Sequence, residues 1–179
     1  MKCRWALLLA GAVAIADAQT TNRFVGSSSA DGAGDETPWQ ELEFEPPAFP
    51  KLDTLREFYV SAMTTNKYFI DPATLTVGAD GVVRYVLVVK TAGGATNVSY
   101  EGIRCKDRTW KHYAAGRSSS GTWTKAPAAS SVWRAIENIP VNRHHAALSR
   151  DLFCPLGNPI GSADEGRNAL RLGKHPNAN

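Results

Sequence analysis

Cysteine is scarce in this chain, three in 179 residues, and Cys3 stands at its very start. The close Cys-x-x-Cys spacing of a catalytic dithiol is missing. So are a Gly-x-Ser-x-Gly nucleophile turn, a paired-carboxylate signature and the glycine fingerprint of a dinucleotide site. Histidine is nearly as rare, with four residues, and no two of them have the i, i+4 spacing by which a helix presents a zinc-binding pair. Beyond the first twenty residues no apolar run approaches the roughly 20 residues that cross a bilayer. The formal net charge of +3 is too small to argue for nucleic acid or an anionic surface as partner.

What the chain does have begins at its N-terminus. In MKCRWALLLAGAVAIADAQT, Lys2 and Arg4 form a positive n-region and Trp5 to Ala16 an apolar core. Ala16-Asp17-Ala18 then supplies the small-x-small pattern cut by a signal peptidase. Residues 1–18 therefore read as a cleaved signal peptide, and the chain as periplasmic or secreted, with no integral membrane segment once the signal is removed. Lys2, Arg4 and Asp17 leave with the signal, so the charge falls only from +3 to +2. Cys3 leaves too. In an oxidising compartment the remaining Cys105 and Cys154 are most simply one disulfide. It closes a loop of about fifty residues, for which the chain-entropy model gives about 4 kcal/mol.

Residues 19–38 are rich in Ser, Gly, Ala and Thr and read as a disordered leader. The run Phe44 to Pro50 is a proline-stiffened arm that can lie against the domain through Phe44 and Phe49. Residues 39–173 form one domain, and 174–179 a frayed tail. Aromatic and β-branched runs predict strands at Arg56 to Ser61, Tyr68 to Ile70 and Thr74 to Val77. Val82 to Lys90 is apolar on both faces and belongs at the centre of a sheet. In Asn97 to Cys105, Val98 and Tyr100 share one phase while Ile103 and Cys105 share the other, which a β-bulge at Gly102 would reconcile. Thr109 to Ala114 is a further strand, followed by a serine-glycine loop leading to Trp123 and Trp133 to Ile136. After Pro140 the period changes. Asn142 is a good N-cap for a helix that runs to Cys154 and halts at Pro155. Ser162 to Glu165 is a capping box opening a short last helix that ends at Gly173, although its apolar face is weak and it contains Gly166. The class is α+β: one domain, an antiparallel sheet of about five to six strands, then one or two C-terminal helices, with one disulfide.

Several segments together, FPKLDTLREFYVSAMTTNKYFIDPATLTVGADGVVRYVLVVKTAGGATNVSYEGIRC, GTW and WRAIENIPVNRHHAALSRDLFCP, resemble the cryptic neisserial protein-like family. The likeness spans about Trp39 to Gly173. It implies an exported bacterial domain and brings no activity with it. The order of Asp71, Thr74, Gly78, Cys105, Trp133 and Cys154 is also similar in layout to the surface adhesin E family, which implies an antiparallel sheet but transfers no binding residue.

The stretch NRHHAALSRDLFCP is where chemistry could reside. His144 and His145 are adjacent, so on a helix they point about 100° apart and do not easily grip one ion. His145 shares a stripe with Leu148 and Leu152 and is expected at the edge of the core. His112, on a strand, could join the two as a third metal candidate, but the pattern itself makes no case for a metal or any other cofactor. Arg143 and Arg150 are expected to be solvated or paired with Asp151 and Asp164. Trp110, Trp123 and Trp133 could form a ligand platform, although large rings in a small sheet are more often core; two of the three are expected there. No catalytic residue stands out. The reading is a non-enzymatic exported binding module whose partner is a protein or envelope component, met by the exposed sheet face or the Phe44–Pro50 arm. The alternative is a metal-dependent or Cys/His enzyme built on His112, His144, His145 and a free cysteine.

Overall fold

A computed structural model of the chain describes residues 38–178. The signal peptide and nearly all of the leader expected from the sequence lie outside the described residues. The sheet consists of β1 (Arg56–Phe58), β2 (Lys67–Ile70), β3 (Thr76–Val77), β4 (Val82–Lys90), β5 (Thr96–Arg104), β6 (Thr109–Arg117), β7 (Thr122–Lys125) and β8 (Arg134–Ala135). The main path is β1-β2-β4-β5-β6-β7, with every pairing antiparallel. The short strands finish the outer edges. β3 pairs with β4 beside β2, and β8 with β6 beside β7. Thr74 does not extend β3 as its sequence suggests. Its amide and hydroxyl both donate to the Asp71 carbonyl, closing a tight turn that starts the strand two residues later.

β4 is central and buried on both faces, as its two-phase apolar pattern predicts. Val83, Tyr85 and Leu87 meet the helices; Val86 and Val88 meet the opposite layer. β5 departs from its prediction. Its register with β4 is continuous from Val82↔Arg104 to Lys90↔Thr96, so Gly102 is not bulged. The irregularity lies in the pairing with β6, where Tyr100 faces Ala114 and Glu101 faces His112, leaving Tyr113 as the extra residue. Gly102 makes room for it: a Cβ there would stand 2.6 Å from the Tyr113 hydroxyl. The mixed phases of β5 need no bulge because each face is buried by a different layer.

One layer is helical. α1 (Arg143–Ala147) passes directly into a wider π-helical turn over Leu148–Phe153, with the Cys154 amide bonded to the Ser149 carbonyl. Asn142 occupies the cap position but its side chain makes no capping hydrogen bond. α2 (Ala163–Leu172) is capped as its sequence predicts: Ser162 Oγ accepts from the Glu165 amide, and Glu165 Oε2 accepts from the Gly161 amide at 2.6 Å. Gly166 is what lets α2 approach, since a Cβ there would lie 2.5 Å from Leu75 and 2.6 Å from Ile160. Past Gly173 the chain does not fray at once. The His175 amide bonds to the Asp151 carbonyl and its ring to Glu165, leaving the residue 5% exposed.

The other layer is the arm. Phe44 packs on Tyr113 with ring centroids 3.9 Å apart, and Phe49 on Trp123 at 5.3 Å. Polar ties hold it. Tyr113 and Lys111 both bond Glu41 at 2.7 Å, the Trp123 indole donates to the Pro47 carbonyl, and the Trp39 indole to the Asp80 carbonyl. Beneath, Asp80 and Arg84 form an ion pair with both side chains almost wholly buried. The sheet face expected to be free for a partner is thus covered by the chain's own arm, over Val86, Val88, Val98 and Tyr100. Only Trp110 of the three tryptophans is fully in the core; Trp123 and Trp133 are half-buried, Trp123 under Phe49 and Trp133 edge-on to Trp39. Phe44→Ala should therefore destabilise the domain by about 2 kcal/mol, a half-buried version of the Phe→Ala penalty. It should also raise binding of a hydrophobic dye; urea unfolding with dye fluorescence checks both, and an unchanged midpoint would mean the arm is not part of the folded unit.

Candidate functional site

Of the sequence-predicted residues, Cys105, Cys154, His144 and His145 come together where the helical layer meets the sheet. Cys105, just past β5, and Cys154, just past the π turn, form the disulfide, with Cα atoms 5.5 Å apart. Both are buried. His145 is 1% exposed and its Nε2 lies 2.9 Å from Glu101 Oε2. It stacks on Trp110 with ring centroids 3.7 Å apart. It is not at the rim of the core but in the middle of it. Glu101, which sequence reasoning passed over, is the hub. Its Oε1 accepts from Ser99 Oγ at 2.7 Å, and the Tyr85 hydroxyl donates to Oε2 at 3.3 Å. The missed signal was a charged residue inside a strand whose flanking positions are apolar on both faces.

His144 stacks on Tyr68 and lies 4.0 Å from His145 between ring centroids. His112 does not join them: its Nε2 is 2.9 Å from the Ala114 carbonyl, two residues along its own strand. The Nδ1 atoms of His144 and His145 have no hydrogen-bond partner among the described residues. No group of three or more His, Cys, Asp or Glu side chains able to hold a metal ion occurs among those residues. Arg150 is paired with Asp151 at 2.8 Å, Arg143 reaches Ser61 Oγ, and Asp164 pairs with Arg167 rather than with either of them.

Electrostatics explain the cluster. Burial alone would raise the Glu101 carboxyl, but the charged form of His145 beside it, and its hydrogen bond, outweigh that and hold it well below the ordinary carboxylate value. Burial and the neighbouring His145 charge then push His144 down to about 4 against a partial pull from Glu101. The Glu101–His145 contact is structural, closed off by Trp110 and the disulfide-tied helix.

A second feature lies at the surface. A groove of about 790 Å³ runs between the end of the arm, the Asp71–Thr74 turn and α2. Lys51, Arg56, Arg167 and Arg171 project at it, and Phe49 and Pro72 contribute to its apolar wall. Glu101, His145 and the disulfide do not line it.

A family model, that of the CNP1-like family, matches residues 34–171. The chain belongs to the CNP1-like family. No curated protein and no solved structure matches it. The family is uncharacterised and the match agrees with the neisserial resemblance read from the sequence, so function in this CNP1-like domain has to be argued from its own residues.

Two consequences are measurable. Cys154→Ser should lower unfolding free energy by about 3–4 kcal/mol, the chain-entropy value for so long a loop. Melting under non-reducing conditions checks this, and an unchanged midpoint would contradict a stapling role. The histidines set the acid limb. His144 is held neutral, so its contribution to stability is whole above about 6.5, its unfolded value, and is lost as pH falls toward 4. That loss amounts to about 2 kcal/mol after allowance for partial exposure. Glu101 is depressed, so its contribution is whole above its unfolded value of 4.5 and disappears only below that. His144→Gln should flatten the urea-measured stability between pH 6.5 and 4 and leave the steeper loss at lower pH in place. A variant with the same slope as the parent in that window would show that His144 is not buried neutral.

Proposed function

We propose that this CNP1-like protein is an exported, non-enzymatic binding module of the periplasm or cell envelope, and that its ligand enters the groove between the arm and α2. The carrying observation is a separation of chemistry from access. The titratable groups able to move protons, Glu101, His145 and Tyr85, are sealed beneath the helical layer. The accessible groove is lined by four cations, apolar groups, two threonines and the buried Asp71, with neither a thiol nor a histidine. Side chains that hold are exposed, and side chains that could react are shut in.

Export rests on the tripartite leader, Lys2 to Ala18, and a bonded Cys105–Cys154 pair suits an oxidising compartment. The metal-dependent or Cys/His enzyme would need a free thiol or a reachable imidazole; the disulfide takes up the thiols and burial covers His145.

Native mass spectrometry of the full chain expressed with its own leader and purified from the periplasm tests the whole reading. The expected species runs from Gln19 to Asn179, lacks two hydrogens, resists alkylation, and releases on denaturation a small molecule that is unchanged by storage with the protein. An uncleaved chain would remove export. An alkylated thiol, a single bound metal ion or conversion of the released molecule to a product would put the enzyme in its place.

A further inference from the structure

We propose that the groove takes a small amphiphilic anion: a phosphate or carboxylate head held by guanidinium groups, with an apolar body against the proline-stiffened wall. This rests on the groove being the binding surface and adds the chemistry of what enters it.

The cations arrive from three separate segments. Lys51 follows the arm, Arg56 is the first residue of β1, and Arg167 and Arg171 stand one turn apart on α2. Like charges gathered this way repel, and an i, i+4 pair of arginines weakens its own helix. The lining offers one carboxylate against them, Asp71, which is 4% exposed and already accepts from the Ala73 amide. Arg167 meets Asp164, but the Lys51 and Arg56 side chains make no hydrogen bond or ion pair with any described residue, whereas Lys111, Arg84 and Arg150 each meet an acid elsewhere in the domain. The groove therefore carries positive charge that the described residues leave unbalanced.

The guanidinium groups are also pre-oriented. Arg167 donates through Nε and Nη2 to Asp164 Oδ1, at 3.1 and 2.7 Å, and through Nη1 to the Pro72 carbonyl at 3.3 Å. Arg171 Nη2 donates to Asn168 Oδ1 at 2.7 Å. Each guanidinium has five donors in a planar fork, so both retain N–H groups for an oxyanion. Fixing such side chains before binding lowers the entropy lost on binding.

Size and polarity narrow the class. At about 790 Å³ the groove is within the range of organic-ligand sites and much larger than a bare phosphate needs. Pro47, Ala48 and Phe49 on one side and Pro72 and Ala73 on the other give the ligand an apolar surface to cover. A long polyanion would call for a basic track, and the chain's formal net charge is only +3. A head with charge and a body without it satisfies both halves of the lining.

The test uses the periplasmic form of the chain, labelled with nitrogen-15, and four probes: hexyl phosphate, hexanoate, hexanol and inorganic phosphate. Hexyl phosphate or hexanoate should saturate amide shifts centred on Phe49, Arg56, Ala73 and Arg171, and bind about tenfold more tightly than hexanol or inorganic phosphate. Binding should weaken as salt is raised, because the groove is open to screening. In the double variant Arg56→Gln/Arg171→Gln, whose changed positions are exposed, the melting point should be kept and affinity for the anionic probes should fall about tenfold. Equal binding of hexanol, or full affinity in the double variant, overturns the anionic head while leaving the groove as a binding surface. Sedimentation with anionic vesicles but no saturable shift from a soluble probe assigns the charge to a membrane surface and overturns a small ligand. A groove silent to every probe removes both the ligand class and the reading beneath it.

Discussion

A carboxylate buried in the middle of a sheet has to meet its counter-charge where it stands, because water cannot reach it. Glu101 sits on β5, one of the two central strands, and the group that answers it comes from a different layer: His145, on the helix that crosses above. That contact fixes the helix over the sheet in one place and one rotation. The disulfide fixes the same two elements again, at Cys105 past the end of β5 and at Cys154 past the end of the helix. Nine residues separate His145 from Cys154, which in an α-helix is about two and a half turns and would direct the two to opposite sides. The π turn over Leu148–Phe153 winds less per residue and brings the chain end back toward the sheet. The irregular helix follows from holding the His145–Glu101 contact and a disulfide on one face, with Leu148, Leu152 and Phe153 buried between them.

The same constraint marks where the sequence was legible. β4 could be read directly, because a strand apolar in both phases has one place to go. The disulfide could be read from the pairing of the two cysteines left once a signal peptide is assumed, and the start of α2 from its capping box. What failed were inferences that needed the partner layer. The phase change in β5 looked like a bulge because one face was assumed wet; with both faces covered, the phases are simply two cores, and the true bulge lies in β6 at Tyr113. His145 was placed at the core's edge because its acid lies forty-four residues away, and no local pattern announces a pair that distant. Gly166 weakened the helix prediction for a sound reason of propensity, yet the close approach to Leu75 and Ile160 is what requires it.

The arm changes what the surface can do. A half-open sheet would have offered a broad apolar face to a partner. Phe44, Phe49 and the Glu41 and Asp80 contacts close it instead, so both flat faces are occupied by the chain itself. Concavity then survives where the coverings end. The end of the arm runs over one face and α2 over the other, and between them the Asp71–Thr74 turn leaves a groove. Its location is a by-product of how the sheet is covered; its charge is not, since arginines on α2 and β1 could be exchanged for neutral residues without touching the core.

That difference separates the two polar features of the molecule. Glu101 and His145 are paired, sealed and bound into the fold, so they do structural work there. Lys51, Arg56 and Arg171 are exposed and leave the groove in electrostatic excess, which folding alone does not explain because it gains nothing from them. Marginal stability makes unbalanced like charge a burden unless something outside the fold offsets it. A ligand with an anionic head is the simplest such offset, and the proline-stiffened wall, already rigid, gives the rest of that ligand a surface that need not be ordered on binding.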